Sequence, residues 1–180
     1  MKTILMMAQT LDGKIARSPN HFPDWTGKAD KRLFVEVTRR AGVIIMGSST
    51  FDTLKTPLPG RRLIVMTRDP SRRTNWDNAA FTREAPPAIL KRLEAEGYDE
   101  VVLAGGATIN GLFAAENLID ELMITVVPIV FGKGISMFDR EVSMKLDLIE
   151  FKPLGEGLVW FHYRVARPPD STVPNLRRVR

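Results

Sequence analysis

The stretch Gly42-Val43-Ile44-Ile45-Met46-Gly47-Ser48-Ser49-Thr50 decides the reading of the fold. Four large apolar residues in unbroken succession suit a strand buried on both faces, and such strands belong to parallel sheets covered by helices. A glycine and three hydroxyl residues then end the run, which is the chemistry of a strand passing into the start of a helix. The same grammar returns at Val101-Val102-Leu103-Ala104-Gly105-Gly106-Ala107-Thr108, and Leu63-Ile64-Val65-Met66 ends instead in Thr67-Arg68.

Working outward, apolar spacing predicts strands over residues 3–8, 42–46, 62–66, 100–104 and 122–130. Helices are expected over 28–40, 49–54, 85–96 and 108–115. Residues 145–151 pair with 158–165 across a turn at 153–157. Strand and helix alternate until this final hairpin. The expected class is therefore α/β, three layers deep, with a mostly parallel central sheet and an antiparallel C-terminal hairpin. Residues 1–167 form one domain, and 168–180, with three prolines and no apolar period, form a basic tail expected to be mobile.

The 180 residues are 44% hydrophobic and 26% charged, carry a formal charge of +5 and include no cysteine. A disulfide framework, a thiolate zinc site and a cysteine nucleophile are thereby excluded. His21 and His162 stand in unrelated contexts, so no metal is expected. No run approaches the roughly 18 apolar residues that span a bilayer, and the apolar start lacks a cleavage site, so we expect a cytoplasmic protein without membrane contact. The charge is unevenly placed. From Arg167 onward there are four arginines against one aspartate, and the rest is close to neutral. A nucleic-acid or acidic partner held by Arg177, Arg178 and Arg180 is the reading from a different class. The tail has neither a recognition motif nor interleaved aromatics, so no nucleic acid is expected.

Ligands of open α/β sheets bind beyond the carboxyl ends of the strands. The two glycine junctions, Gly47-Ser48-Ser49-Thr50 and Gly105-Gly106-Ala107-Thr108, suit a pyrophosphate, and Arg68 suits an additional phosphate. Taken singly, each is equally an ordinary cap or turn, and neither forms the G-x-G-x-x-G fingerprint. In the first helix, Asp30, Leu33, Phe34 and Val37 share one stripe, which sets a carboxylate on the core-facing side. That acid either serves the helix dipole at the rim or marks a site. Pro23 and Trp25 lie in a loop of about 19 residues, a length typical of functional lids.

Ile15, Pro23, Trp25, Asp30, Phe34, Met46-Gly47, Thr50, Pro57-Leu58-Pro59-Gly60-Arg61 and Gly105-Gly106, in this order, resemble the dihydrofolate reductase family from about residue 3 to 138. The resemblance implies NADPH-dependent hydride transfer to the C=N bond of dihydrofolate. It implies that Asp30 binds the pterin, supported by Thr125, that Arg61 clamps the glutamate carboxylate, and that Trp25 closes the site. Met7, Ala8, Phe34, Leu54 and Leu58 would line the substrate pocket. Ala8, Ile15, Gly47, Ser48, Ser49, Thr50, Ala104, Gly105, Gly106, Ala107, Thr108 and Ile109 would hold NADPH, with Thr67 and Arg68 at its 2′-phosphate.

Two positions depart from that family, Asn110 in place of a tyrosine and Ser48 in place of a basic residue. Residues 10–16, 105–111 and 128–138 resemble instead the riboflavin-pathway reductase domain on the same fold. That resemblance implies a ribosylaminopyrimidine phosphate as substrate. The family's acid before Gly-Gly is Ala104 here, and Asp30 with Thr125 and Arg61 favours dihydrofolate, which is the main expectation. The protein is expected to be a monomer or a homodimer, the latter using residues 122–130.

Overall fold

The structure, a computed structural model, describes residues 1–19 and 21–167. The tail at 168–180, with the arginines on which the nucleic-acid alternative rests, lies outside the described residues. The chain runs β1 (Lys2–Thr10), β2 (Lys14–Ala16), a 3-10 turn at Asp24–Thr26, α1 (Gly27–Ala41), β3 (Val43–Gly47), α2 (Ser48–Phe51) and β4 (Arg62–Met66). It continues through β5 (Ala79–Thr82), α3 (Pro86–Ala95), β6 (Glu100–Leu103), α4 (Ala107–Ala115), β7 (Glu121–Val127), β8 (Ile135–Ser136), β9 (Lys145–Gly155) and β10 (Leu158–Ala166).

Eight strands form one sheet in the order β5-β4-β3-β6-β1-β7-β10-β9. The first six in that order are parallel, and β10 lies antiparallel to both β7 and β9. Strand alternation divides the core. Leu5, Val43, Ile45, Ile64 and Leu103 face Ile89 and Leu93 of α3 and Phe113 of α4. Ile4, Met6 and Val102 face Leu33 and Val37 of α1, and Ile44, Met46 and Val65 pack with Phe51 of α2. This is the expected three-layer α/β architecture.

Leu33, Val37 and Ala41 recur every four residues on the buried side of α1. Gly42 ends the helix at φ +72°, its N–H donating to the Thr38 carbonyl at 3.0 Å, a left-handed cap that favours glycine.

The sequence reading is corrected in four places. α2 is one turn, ending at Phe51. Strand β5 was not expected, because Ala-Ala-Phe-Thr carries little apolar signal and its register is supplied by β4. Strand β7 stops at Val127, since Pro128 has no N–H to extend the ladder. The final hairpin turns only at Glu156-Gly157, both at positive φ as a two-residue I′ turn demands, so Pro153 and Leu154 belong to β9. Within the 122–130 segment, β7 offers no free strand edge. β7 sits between β1 and β10 with both of its edges already paired.

Candidate active site

The carboxyl ends of β1, β3, β4, β6 and β7 converge on one end of the sheet, and α1 lies across it. The first turn of α1 sets Asp30 over the sheet near Thr125 of β7, whose register partner on β1 is Ala8. Asp30 is 8% exposed and has no ion-pair partner among the described residues. Burial pushes its carboxyl up from the ordinary value. The nearby hydroxyls of Thr125 and Thr26, with Lys31, offset only part of that shift. Hydroxyls thus replace the cation that a buried carboxylate would otherwise need.

Two turns further along α1 the charge reverses. Arg61 is 5% exposed, so it is no solvated turn residue. Its Nε donates to the Pro59 carbonyl at 3.2 Å and its Nη1 to Thr38 Oγ1 at 3.1 Å, while Thr38 donates to the Phe34 carbonyl at 2.6 Å. No carboxylate pairs with Arg61 among the described residues. Burial, then the nearby Arg39, lower its pKa without threatening its charge. Asp30, Phe34 and Thr38 are spaced by fours, so the acid and the guanidinium stand about 12 Å apart along one helix. Phe34 lies between them and packs with Leu54 and Leu58 on the facing wall.

The loop that carries Trp25 packs against the 128–138 stretch. Trp25 meets the Phe131 ring edge-on at 5.1 Å, and the Arg17 guanidinium lies 3.9 Å from that ring's centre. Asp12 holds the same segment, accepting the Phe131 and Gly132 N–H groups at 3.1 and 2.7 Å. The Thr10 hydroxyl first, and then these N–H groups, bring the Asp12 carboxyl down to about 2. Ile15 lies in β2, which pairs with β8 beneath this clasp.

The two glycine junctions are adjacent. Gly47 N–H donates to the Gly105 carbonyl at 2.8 Å. A Cβ on Gly47 would stand 3.0 Å from Ile109, and one on Gly106 would stand 3.4 Å from Thr50 Oγ1. Gly105, at φ +82°, has the Met7 thioether 3.1 Å from the place of a Cβ, and the Gly105–Gly106 peptide is cis. Ala104 binds this region to β3 through its N–H to the Ile45 carbonyl at 2.9 Å.

α4 opens after Gly106 with no side-chain cap. The first-turn N–H groups of Ala107, Thr108 and Ile109 therefore have no partner within the helix. Bare N–H groups facing a glycine-floored gap fit a pyrophosphate. Ser48, Ser49 and Thr50 form the one-turn α2 beside the gap, and Arg68 is exposed and free of ion pairs among the described residues. Thr67 is partly engaged, its hydroxyl accepting the Asp69 N–H. Of the expected cofactor residues, Ile109 is mainly core and the Thr108 hydroxyl bonds Asp139.

Sequence reasoning missed Thr26, Thr38, Asp12 and Phe131. The first two were legible, because Thr26 abuts the start of α1 and Thr38 continues the Asp30–Phe34 spacing. Asp12 and Phe131 lie over a hundred residues apart, and no local signal pairs them.

This is the fold and cleft of a nucleotide-dependent reductase domain. The model of the RibD C-terminal domain family matches residues 1–160, and the chain belongs to that family. It is 31% identical over 172 residues to YwjB of Bacillus subtilis, an uncharacterised protein, covering 90% of this chain and 97% of that one. It is 24% identical over 205 residues to the 2,5-diamino-6-ribosylamino-4(3H)-pyrimidinone 5′-phosphate reductase of Methanothermobacter thermautotrophicus, covering 87% and 94%. Among solved structures, a putative riboflavin biosynthesis protein from Shewanella superposes with a TM-score of 0.78 at 26% identity, over 93% of this chain and all of that one. NADPH, which the resemblance implied, is the cofactor of this reductase class.

The expectation of dihydrofolate reduction is corrected by the same findings. The family matched along nearly the whole chain is the RibD type, and the named pyrimidinone reductase covers almost all of both sequences. Asp30, Thr125 and Arg61, on which the folate expectation rested, did not by themselves identify the substrate.

Proposed function

We propose that the protein is a cytoplasmic NADPH-dependent reductase of a 6-(5-phosphoribosylamino)pyrimidine, yielding the ribitylamino product. The observation that carries the proposal is Arg61, a buried guanidinium with no carboxylate partner among the described residues, two helical turns from Asp30. Thr38 and Pro59 occupy Nη1 and Nε, leaving Nη2 for a phosphate oxygen. The family membership supports the same substrate class.

When bound, NADPH supplies the hydride. The opened ribosylamino group presents a C=N bond, and reduction sets the hydride on carbon while nitrogen keeps or gains a proton. Asp30, its pKa raised by burial, gives and takes a proton at the pyrimidine end. Phe34, Leu54 and Leu58 form an apolar wall that orients the ring between the two charged groups. Trp25, seated on Phe131, keeps water from the reacting bond.

The test follows loss of reduced-nicotinamide absorbance with 5-amino-6-(5-phosphoribosylamino)uracil and, separately, with its 2,5-diaminopyrimidinone counterpart. Turnover with at least one of them is expected. Binding of NADPH without turnover of either compound overturns the proposal.

A further inference from the structure

Asp12, in the turn between β1 and β2, receives hydrogen bonds from two segments of the chain. The Thr10 hydroxyl donates to its Oδ1 at 2.5 Å and the Phe131 N–H to the same oxygen at 3.1 Å, while the Gly132 N–H donates to Oδ2 at 2.7 Å. Gly132, at φ +70°, lets two successive N–H groups converge on one carboxylate, as in an anion nest. Both N–H groups lie past the end of β7, beyond the reach of its ladder. Thr10 is fully buried and accepts the Lys14 N–H at 2.9 Å, which leaves its own hydrogen for Asp12.

Phe131 is where this grip meets the loop of Trp25. Its ring gathers three side chains of that loop: the Arg17 guanidinium at 3.9 Å, Trp25 at 5.1 Å and His21 at 5.7 Å from its centre. The Arg17 N–H also donates to His21 Nδ1 at 3.1 Å, so the three form one packed unit on the ring. The flanking backbone is held without Asp12. The Leu11 N–H donates to the Ile129 carbonyl at 2.9 Å, β2 pairs with β8, and a Cβ on Gly134 would stand 2.6 Å from the Ala16 carbonyl. Loss of the Asp12 carboxylate therefore frees Phe131 and Gly132 while the segments on either side stay attached.

We propose that Asp12 is a positioning residue of the reductase: its carboxylate fixes Phe131, and Phe131 seats Trp25 over the cleft. The inference rests on the reductase reading for what the seated indole accomplishes, the exclusion of water from the reacting bond. A carboxylate suits this place better than an amide. Its bonds to N–H groups are charge-assisted, roughly twice the strength of neutral ones. Asparagine, in either flip, turns its NH2 group toward at least one of the three donors.

The test compares Asp12→Asn, Phe131→Ala and the double variant with the wild type. In Asp12→Asn, kcat should fall at least about tenfold with the KM of the pyrimidine changed much less, because the loop aligns the reaction and leaves the ring's own contacts in place. The double variant should be no slower than the worse single one, since both act through one contact. Acrylamide quenching of Trp25 fluorescence is taken as the difference between each protein and the same protein carrying Trp25→Phe. It should rise at least about twofold in Asp12→Asn as the indole opens to water. Phe131→Ala, which leaves the Asp12 bonds in place, should match that rise. Circular dichroism and the thermal midpoint check that each variant folds. Unchanged quenching in folded Asp12→Asn overturns the proposal, as does a wild-type kcat with the indole loosened, or additive losses in the double variant. Quenching needs no substrate. If the wild type turns over neither pyrimidine, the substrate reading fails, and the quenching alone decides whether Asp12 seats Trp25.

Discussion

The two ends of the central sheet treat charge in opposite ways. Where the parallel strands begin, charges are paired. Lys2 Nζ lies 3.6 Å from Glu100 and 3.4 Å from Glu121, Arg40 lies 2.7 Å from Glu100, and His162 Nε2 lies 2.9 Å from Glu121. The amino terminus meets Glu94 at 2.7 Å. Where the strands end, Asp30 and Arg61 are more deeply buried than any of these, yet neither has an opposite charge among the described residues. Paired charges at a partly wet surface add little and cost little. Unpaired buried ones oppose folding, so their persistence points to a ligand that completes them.

The largest effect that tests this contrast comes from Asp30→Asn. Turnover should fall by at least about 10³-fold, the scale of a lost general acid or base, while titration with NADPH shows the cofactor still bound. The same variant should be the more stable protein at pH 7. Burial raises the folded-state pKa of this acid, so the native state keeps its proton longer than the unfolded chain. Stability therefore falls as pH climbs from the unfolded value of 3.8 through the raised native one. Thermal midpoints of variant and wild type should differ most at neutral pH and converge below about pH 4. A destabilised Asp30→Asn at pH 7 would break the comparison.

Next in size, Arg61→Met should raise KM for the phosphorylated substrate about 10- to 100-fold, the value of a charge-assisted hydrogen bond, with kcat much less affected. Its complement is Thr38→Val, which leaves Nη1 buried without an acceptor. That change should lower stability by about 1–3 kcal/mol, read from denaturant midpoints. An unchanged KM in Arg61→Met would remove the guanidinium from the substrate site.

The smallest effect belongs to the paired end. Burial raises the Glu121 carboxyl, but His162 and Lys2 outweigh it, so its pKa is net lowered. The stabilisation is present above the unfolded value of 4.5 and disappears as pH falls through the lowered native one. Glu121→Gln should cost about 0.5 kcal/mol at pH 7, nothing in acid, and leave turnover unchanged. A large loss of activity would mean that the two ends are coupled.

Much of the fold was legible because it rests on local periodicity. Residues 42–46 and 62–66 read as strands from their unbroken apolar runs, and the first helix from the spacing over 28–40. β5 and β8 were not legible, since Ala79–Thr82 and Ile135–Ser136 are strands only because β4 and β2 lie alongside. The candidate site divides in the same way. Asp30 announced itself as an acid on an apolar stripe, and the glycine pairs as a close-approach surface. Their chemistry did not name the substrate.

By itself the sequence determined the α/β alternation, the cysteine-free character and the residues able to bind an anionic dinucleotide, all of which follow from side-chain type and near-neighbour spacing. Only the tertiary structure decided that Arg61 is buried without a counter-ion among the described residues, that Thr38 accepts its hydrogen bond, and that Trp25 packs edge-on against Phe131. Burial and strand order depend on contacts between residues far apart in the chain, and periodicity carries no information about which distant surfaces meet.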